Sequence, residues 1–62
     1  MCNNNTSNYN RAMILYNQAF ANTDVDLMNL GLSALESSLE FQNQNTKAMA
    51  LHKAIKTFIS NH

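Results

Sequence analysis

The sequence predicts an all-α fold of three short helices, of which the last two form an antiparallel hairpin. Two observations carry this prediction. Apolar residues recur at intervals of three and four along three stretches of the chain, which is the spacing of one helix face. The segments between these stretches, Asn22–Thr23 and residues 42–46, are polar and break the pattern.

The 62 residues suffice for one domain, which we place at residues 8–62, after a polar tail at residues 1–7 that we expect to be disordered. A chain of this size buries only about 60% of its unfolded surface, so a core built by one copy is marginal. The single cysteine excludes an internal disulfide. We therefore expect the fold to be completed by homo-oligomerisation, as a homodimer.

The first helix is predicted from Asn8 to Ala21, with Ser7 or Asn8 as its N-cap. Its apolar stripe consists of seven residues at helical spacing: Tyr9, Ala12, Met13, Leu15, Tyr16, Ala19 and Phe20. Ile14 is the exception, because it projects from the polar face of this helix. A single exposed isoleucine is common in folded proteins, and it acquires meaning only as part of a partner surface.

The central helix is predicted over Val25–Phe41, the longest apolar-periodic run in the chain. Its apolar arc is about 220° wide, well beyond what a surface helix needs, so it must be covered on more than one side. Thr23 and Asp26 approximate a capping box at its start. A glycine inside a helix costs about 1 kcal/mol relative to alanine. Close approach of another helix would explain its presence at Gly31, and the alternative is a chance substitution that the helix tolerates.

The width of this arc, in a chain too short to cover it alone, predicts that the central helix forms the oligomer interface. We assign seven residues to that interface: Leu27, Met28, Gly31, Leu32, Leu35, Ser38 and Leu39. A dimer or a higher closed species is the expected form in solution.

The third helix is predicted from Lys47 to Ser60, with Asn45 or Thr46 as its N-cap. On one continuous helix the two apolar stripes would point to different sides, so we predict a reversal at residues 42–46 that lets both face one core. Met49 lies on the polar side of this helix. The predicted buried stripe consists of Ala48, Leu51, Ala54, Ile55, Phe58 and Ile59.

The charges are sorted between the last two predicted helices, with the carboxylates in the central helix and the lysines in the third. In an antiparallel hairpin Lys47 comes near Glu40, and Lys56 comes near Asp26. Each exposed pair is worth at most about 1 kcal/mol. Such pairs help to set the orientation of the helices rather than the stability of the fold.

Composition and spacing argue against several classes of function. The formal net charge of +0 argues against a protein of nucleic acids or anionic membranes. No apolar run reaches transmembrane length and the N-terminus does not resemble a secretory signal, so the cytoplasm is the expected location. Cys2, His52 and His62 are too scattered for a metal site, and His52 is expected to be a solvated surface residue. We expect no cofactor and no catalysis.

The favoured class is a non-catalytic protein–protein interaction module, a small inhibitor, adaptor or co-chaperone with one protein partner. Ile14 and Met49 carry this prediction, because a three-helix core does not need them and methionine repacks easily at binding surfaces. With their polar neighbours they give the predicted protein-binding residues: Arg11, Ile14, Gln18, Met49, His52, Lys53 and Lys56. The alternative is that Ile14 and Met49 are exposed and have no function.

Two other functions stay open at this point. The second and third predicted helices imitate a helix-turn-helix, which would make the chain a small DNA-binding regulator, although the joining segment lacks the glycine often found in that turn. The sequence offers only four lysines and arginines for phosphate contacts. The remaining alternative is a structural subunit of a larger assembly.

Overall fold

The computed structural model describes residues 7–62, and this part of the chain forms four helices and no strand. They are α1 (Asn8–Asn22), α2 (Val25–Glu36), α3 (Leu39–Gln42) and α4 (Thr46–Ser60). The predicted all-α fold is confirmed, with four helices in place of three. Residues 1–6 of the predicted tail lie outside the described residues. Within residues 7–62, no helix combines the length and the apolar character that crossing a membrane requires.

The first helix begins and ends as its flanking residues dictate. Ser7 is the N-cap of α1, and its hydroxyl accepts a hydrogen bond from the backbone N–H of Asn10 at 3.1 Å. At the other end Thr23 adopts a left-handed conformation, with φ of 50°, and its N–H donates back to the carbonyls of Ala19 and Phe20. The predicted range of this helix is confirmed to within one residue.

The start of α2 corrects the predicted capping box. Asp24 is the N-cap, and its carboxylate accepts a hydrogen bond from the N–H of Leu27 at 3.1 Å. Thr23 cannot cap α2 because it already closes α1. Asp24 suits the position because a carboxylate both satisfies a free N–H and lies at the positive end of the helix dipole.

The predicted single helix over Val25–Phe41 is wrong, because the chain leaves the helix at Ser37 and Ser38. Ser38 has extended backbone and caps α3, where its hydroxyl accepts from the N–H of Phe41 at 3.1 Å and donates to the carbonyl of Leu35. Serine side chains compete in this way with the hydrogen bonds of a helix. The apolar spacing runs on through the interruption, which is why periodicity alone did not reveal it.

Gly31 lies where α1 and α2 approach most closely. The two helices run antiparallel across the turn at Thr23, and the amide of Asn8 at the start of α1 donates to the carbonyl of Ser37 at 3.3 Å. A Cβ atom on Gly31 would lie 3.3 Å from Leu15 Cβ and 3.5 Å from the carbonyl oxygen of Ala12. The predicted close approach is confirmed, and the neighbour is α1 of the same chain.

The last helix follows a turn at residues 43–45. Gln44 takes a left-handed φ of 59° in the turn, and Asn45 caps α4 by accepting from the N–H of Lys47 at 2.9 Å. α4 packs on α2 and meets α1 at few points. The resulting core draws on α1, α2 and α4 and consists of Ala12, Ala19, Met28, Leu35, Ala48, Ile55 and Phe58.

Candidate protein-binding surfaces

The C-terminal parts of α1 and α4 enclose a groove of about 490 Å³, which we call the aromatic groove. Its walls are formed by Tyr16, Phe20, Thr23, Ala54, Thr57, Phe58, Asn61 and His62. The Phe20 ring lies 5.9 Å from the rings of both Tyr16 and Phe58, and the ring of His62 stacks on Phe58 at 4.4 Å. These separations fall near the range of favourable aromatic pairs, so the four rings form a connected row.

Phe20 is more exposed than Tyr16 and Phe58 on either side of it, with 59% of its surface accessible. The sequence placed Phe20 and Met13 in the apolar stripe of the first helix, yet Met13 is also 40% exposed. The stripe is wider than the face that α2 covers, and α4 meets α1 too sparsely to cover the remainder. The one sequence signal for this groove was the number of aromatic residues on the first and last helices.

A second groove, of about 470 Å³, lies on the outer side of α1 and α2, and we call it the α1–α2 groove. Its lining consists of Asn8, Arg11, Leu15, Leu30, Ser33, Ala34 and Ser37. Leu30 is 58% exposed, and the serines and alanine beside it leave space around its side chain. Arg11 is the one residue of the predicted protein-binding set that lines either groove.

The predicted protein-binding residues fall on two separate helices. On α1, Arg11, Gln18 and Ile14 are exposed, with 52% of Ile14 accessible. On α4, Lys53 and Lys56 are exposed, whereas Met49 is half-buried and offers less surface than its polar-side position predicted. The structure therefore leaves Ile14 free to contact a partner and makes Met49 the weaker half of the pair.

His52 is held in place, which corrects the prediction of a solvated side chain. Its Nε2 atom lies 3.1 Å from Oε2 of Glu36, and its ring lies 4.7 Å from the ring of Phe41. Among residues 7–62 this is the one contact within 4.0 Å between a carboxylate and a basic side chain, so the predicted pairs of Lys47 with Glu40 and of Lys56 with Asp26 do not form. Glu36, the last residue of α2, makes the contact with α4 instead.

The seven residues assigned to an oligomer interface are divided between core and surface. Met28, Gly31, Leu35 and Ser38 are buried by the chain's own helices, Leu27 and Leu32 are half-buried, and Leu39 is 71% exposed. In the single chain, only Leu27, Leu32 and Leu39 have accessible surface that a second copy could contact. Their role in an interface stays a prediction.

The described residues place no obvious reaction chemistry in either groove. Within residues 7–62, no three His, Cys, Asp or Glu side chains lie close enough together to hold a metal ion. The aromatic groove contains one titratable imidazole, that of His62, and the α1–α2 groove contains one charged group, that of Arg11. No protein-family model matches the sequence, and neither the curated proteins nor the solved structures contain a match.

Proposed function

We propose that this chain is a non-catalytic protein–protein interaction module that binds one protein partner through its helix faces and forms a homodimer. In this proposal α2 and α4 pair as an antiparallel hairpin within each copy. One observation carries the proposal of an interaction module. Large apolar side chains are exposed on three described helices, namely Phe20 and Ile14 on α1, Leu30 on α2 and Leu39 on α3. These side chains offer apolar surface that a partner or a second copy can cover, and Phe20 offers it next to the rings of Tyr16 and Phe58.

The aromatic groove supports the partner-binding part of the proposal. Phe20 stands between Tyr16 and Phe58 with more than half of its surface free, so a partner side chain inserted there removes aromatic surface from water without disturbing the core. Aromatic anchors in well-formed recesses account for much of the binding energy at protein interfaces. An amphipathic helix laid in such a groove is one of the recurring modes of recognition.

Affinity capture from the native host, read by mass spectrometry, tests the proposal. The bait variants are Phe20→Glu in the aromatic groove and the pair Ile14→Glu with Met49→Glu on the two predicted faces. Asn17→Glu is the matched control, because it adds the same charge at an exposed polar position of α1. We expect the unaltered chain and the control to retain one partner, and at least one of the other baits to lose it while keeping its circular dichroism spectrum.

Two results would contradict the proposal. Equal recovery of the same proteins by every folded bait would show that these surfaces bind nothing specific. Retention of the chain on immobilised duplex DNA, falling steeply as salt is raised, would favour the DNA-binding regulator instead. The homodimer is tested separately by light scattering at micromolar concentration, where a monodisperse species of 7.0 kDa would refute it.

A further inference from the structure

We infer that the α1–α2 groove is the contact surface between two copies of this chain, related by a two-fold axis that passes beside Leu30. This inference rests on the proposed homodimer and adds to it a face and a symmetry. It moves the main contact away from the buried residues of α2 to the outer side of the same helix, where Leu30 is exposed.

The register of α1 against α2 places a positive and a negative charge at equal distances from Leu30. Asn8 lies opposite Ser37, so Arg11, three residues further along the antiparallel pair, lies level with Ala34. That level is four residues beyond Leu30, or about 6 Å along the axis of α2. Asp26 lies four residues before Leu30, on the same stripe of α2 and about 6 Å in the other direction.

A two-fold axis at Leu30, perpendicular to α2, turns this arrangement into charge complementarity. The rotation places Leu30 of the second copy on Leu30 and brings Asp26 of the second copy to the level of Arg11 in the first. Because the operation is symmetric, the same ion pair forms twice. Neither Arg11 nor Asp26 has an ionic partner within residues 7–62, and both are exposed. The Arg11 side chain lines the groove beside α2, which directs its charge toward the incoming carboxylate.

The groove also has the shape for an apolar contact at its centre. Leu30 is flanked by Ser33 and Ala34, whose small side chains leave room for a second leucine. Leu15 of α1 also lines the groove and adds apolar surface beside Leu30. The face therefore carries apolar surface at the middle and opposite charges toward its two ends, as a self-complementary interface requires.

Charge reversal tests the pairing. In a dimer of Arg11→Asp, each new aspartate meets Asp26 of the other copy, so like charges meet at both sites. In a dimer of Asp26→Arg, each new arginine meets Arg11 of the other copy, with the same result. We expect each variant by itself to raise the dissociation constant of the dimer at least about tenfold in sedimentation velocity. The double variant, and an equimolar mixture of the two single variants, restore opposite charges at both positions and should dimerise as the unaltered chain does. Dimerisation that ignores all four charge combinations would overturn the inference.

Disulfide cross-linking tests the position of the axis, in a Cys2→Ser background that removes the natural thiol. Leu30→Cys should form a covalent dimer under mild oxidation, because the two residues meet on the axis and disulfides need Cα atoms within about 7 Å. Ser37→Cys is the matched control. It lies seven residues from Leu30, so its two copies are separated by about 21 Å along the helices and should stay unlinked.

The outcomes separate this inference from the proposed homodimer. A dimer that is insensitive to charge reversal, and that cross-links through Ser37→Cys as readily as through Leu30→Cys, refutes this face and leaves the homodimer standing. An unaltered chain that is monomeric throughout refutes both. Because Arg11, Asp26, Leu30 and Ser37 are all exposed in the single chain, circular dichroism should show the same helix content for all variants.

Discussion

Gly31 gives a prediction that follows directly from the closest approach in the structure. The substitution is Gly31→Leu, which replaces a poor helix former by a good one and by propensity alone would add about 0.8 kcal/mol to stability. Space decides against it. A Cβ at this position already lies 3.3 Å from Leu15 Cβ and 3.6 Å from the backbone nitrogen of Tyr16. The remaining three carbons of a leucine have nowhere to go unless α1 moves away from α2.

Overpacking of this kind costs about 1–3 kcal/mol, and here rigid backbone rather than a flexible side-chain end must yield. We therefore expect Gly31→Leu to lower the free energy of unfolding by about that amount. In a domain of this size each kcal/mol corresponds to roughly 4–8 °C in Tm. Gly31→Ala needs a shift of only a few tenths of an ångström at Leu15, so its gain in propensity should nearly offset the crowding and leave a change below about 1 kcal/mol.

Urea unfolding followed by circular dichroism, at one fixed protein concentration, measures both variants. Asn29→Leu is the matched control, because it adds the same side chain at an exposed position of the same helix. It should change stability by no more than about 0.5 kcal/mol. If Gly31→Leu proves as stable as the unaltered chain while keeping its helix content, α1 and α2 do not approach as the structure has them.

The remaining predictions concern Ser38 and Thr23, two helix boundaries at which the sequence-based prediction was wrong. Both are measured with the same urea assay. Ser38→Ala removes the cap of α3 and leaves the N–H of Phe41 without its partner, so it should cost about 0.5–2 kcal/mol, whereas Ser37→Ala should be nearly neutral. An equal effect of the two would show that α3 needs no cap. Thr23→Gly relieves a left-handed β-branched residue and should stabilise the chain by up to about 1 kcal/mol, while Thr57→Gly inside α4 should destabilise it by a similar amount. A loss of stability with Thr23→Gly would show that the left-handed conformation carries no strain.

The sequence predicted those parts of the fold that depend on local patterns. The ranges of α1 and α4 followed from an apolar stripe bounded by a capping residue, and of the two caps predicted at each start the structure selects Ser7 and Asn45. The break at Ser38 escaped because it depends on competition between a hydroxyl and the backbone, which leaves no trace in apolar spacing. Likewise the sequence predicted Thr23 as the cap of the central helix, and the way α1 ends at Thr23 passes this role to Asp24.

Exposure was harder to predict than helix formation, because it depends on where the other helices pack. Ile14 was correctly placed on the surface, since its helix has one clear polar face. Phe20 was placed on the correct face of α1, but periodicity does not show that α4 leaves this end of the stripe open. The contact of His52 with Glu36 was missed for the same reason, since it depends on how α4 packs against α2. Both grooves are thus products of tertiary packing.

The attachment of α4 determines how the molecule comes apart. α1 and α2 are held together from the bond between Asn8 and Ser37 to the turn at Thr23, whereas α4 rests mainly on α2. When α4 leaves, the α1–α2 pair keeps its own contacts, so α4 is a natural unit of local unfolding. The departing helix uncovers an apolar side of α2 that is identical on every copy. With residues 43–45 as a hinge, an α4 released from one chain fits the vacated face of another, so the fold contains a route to domain swapping.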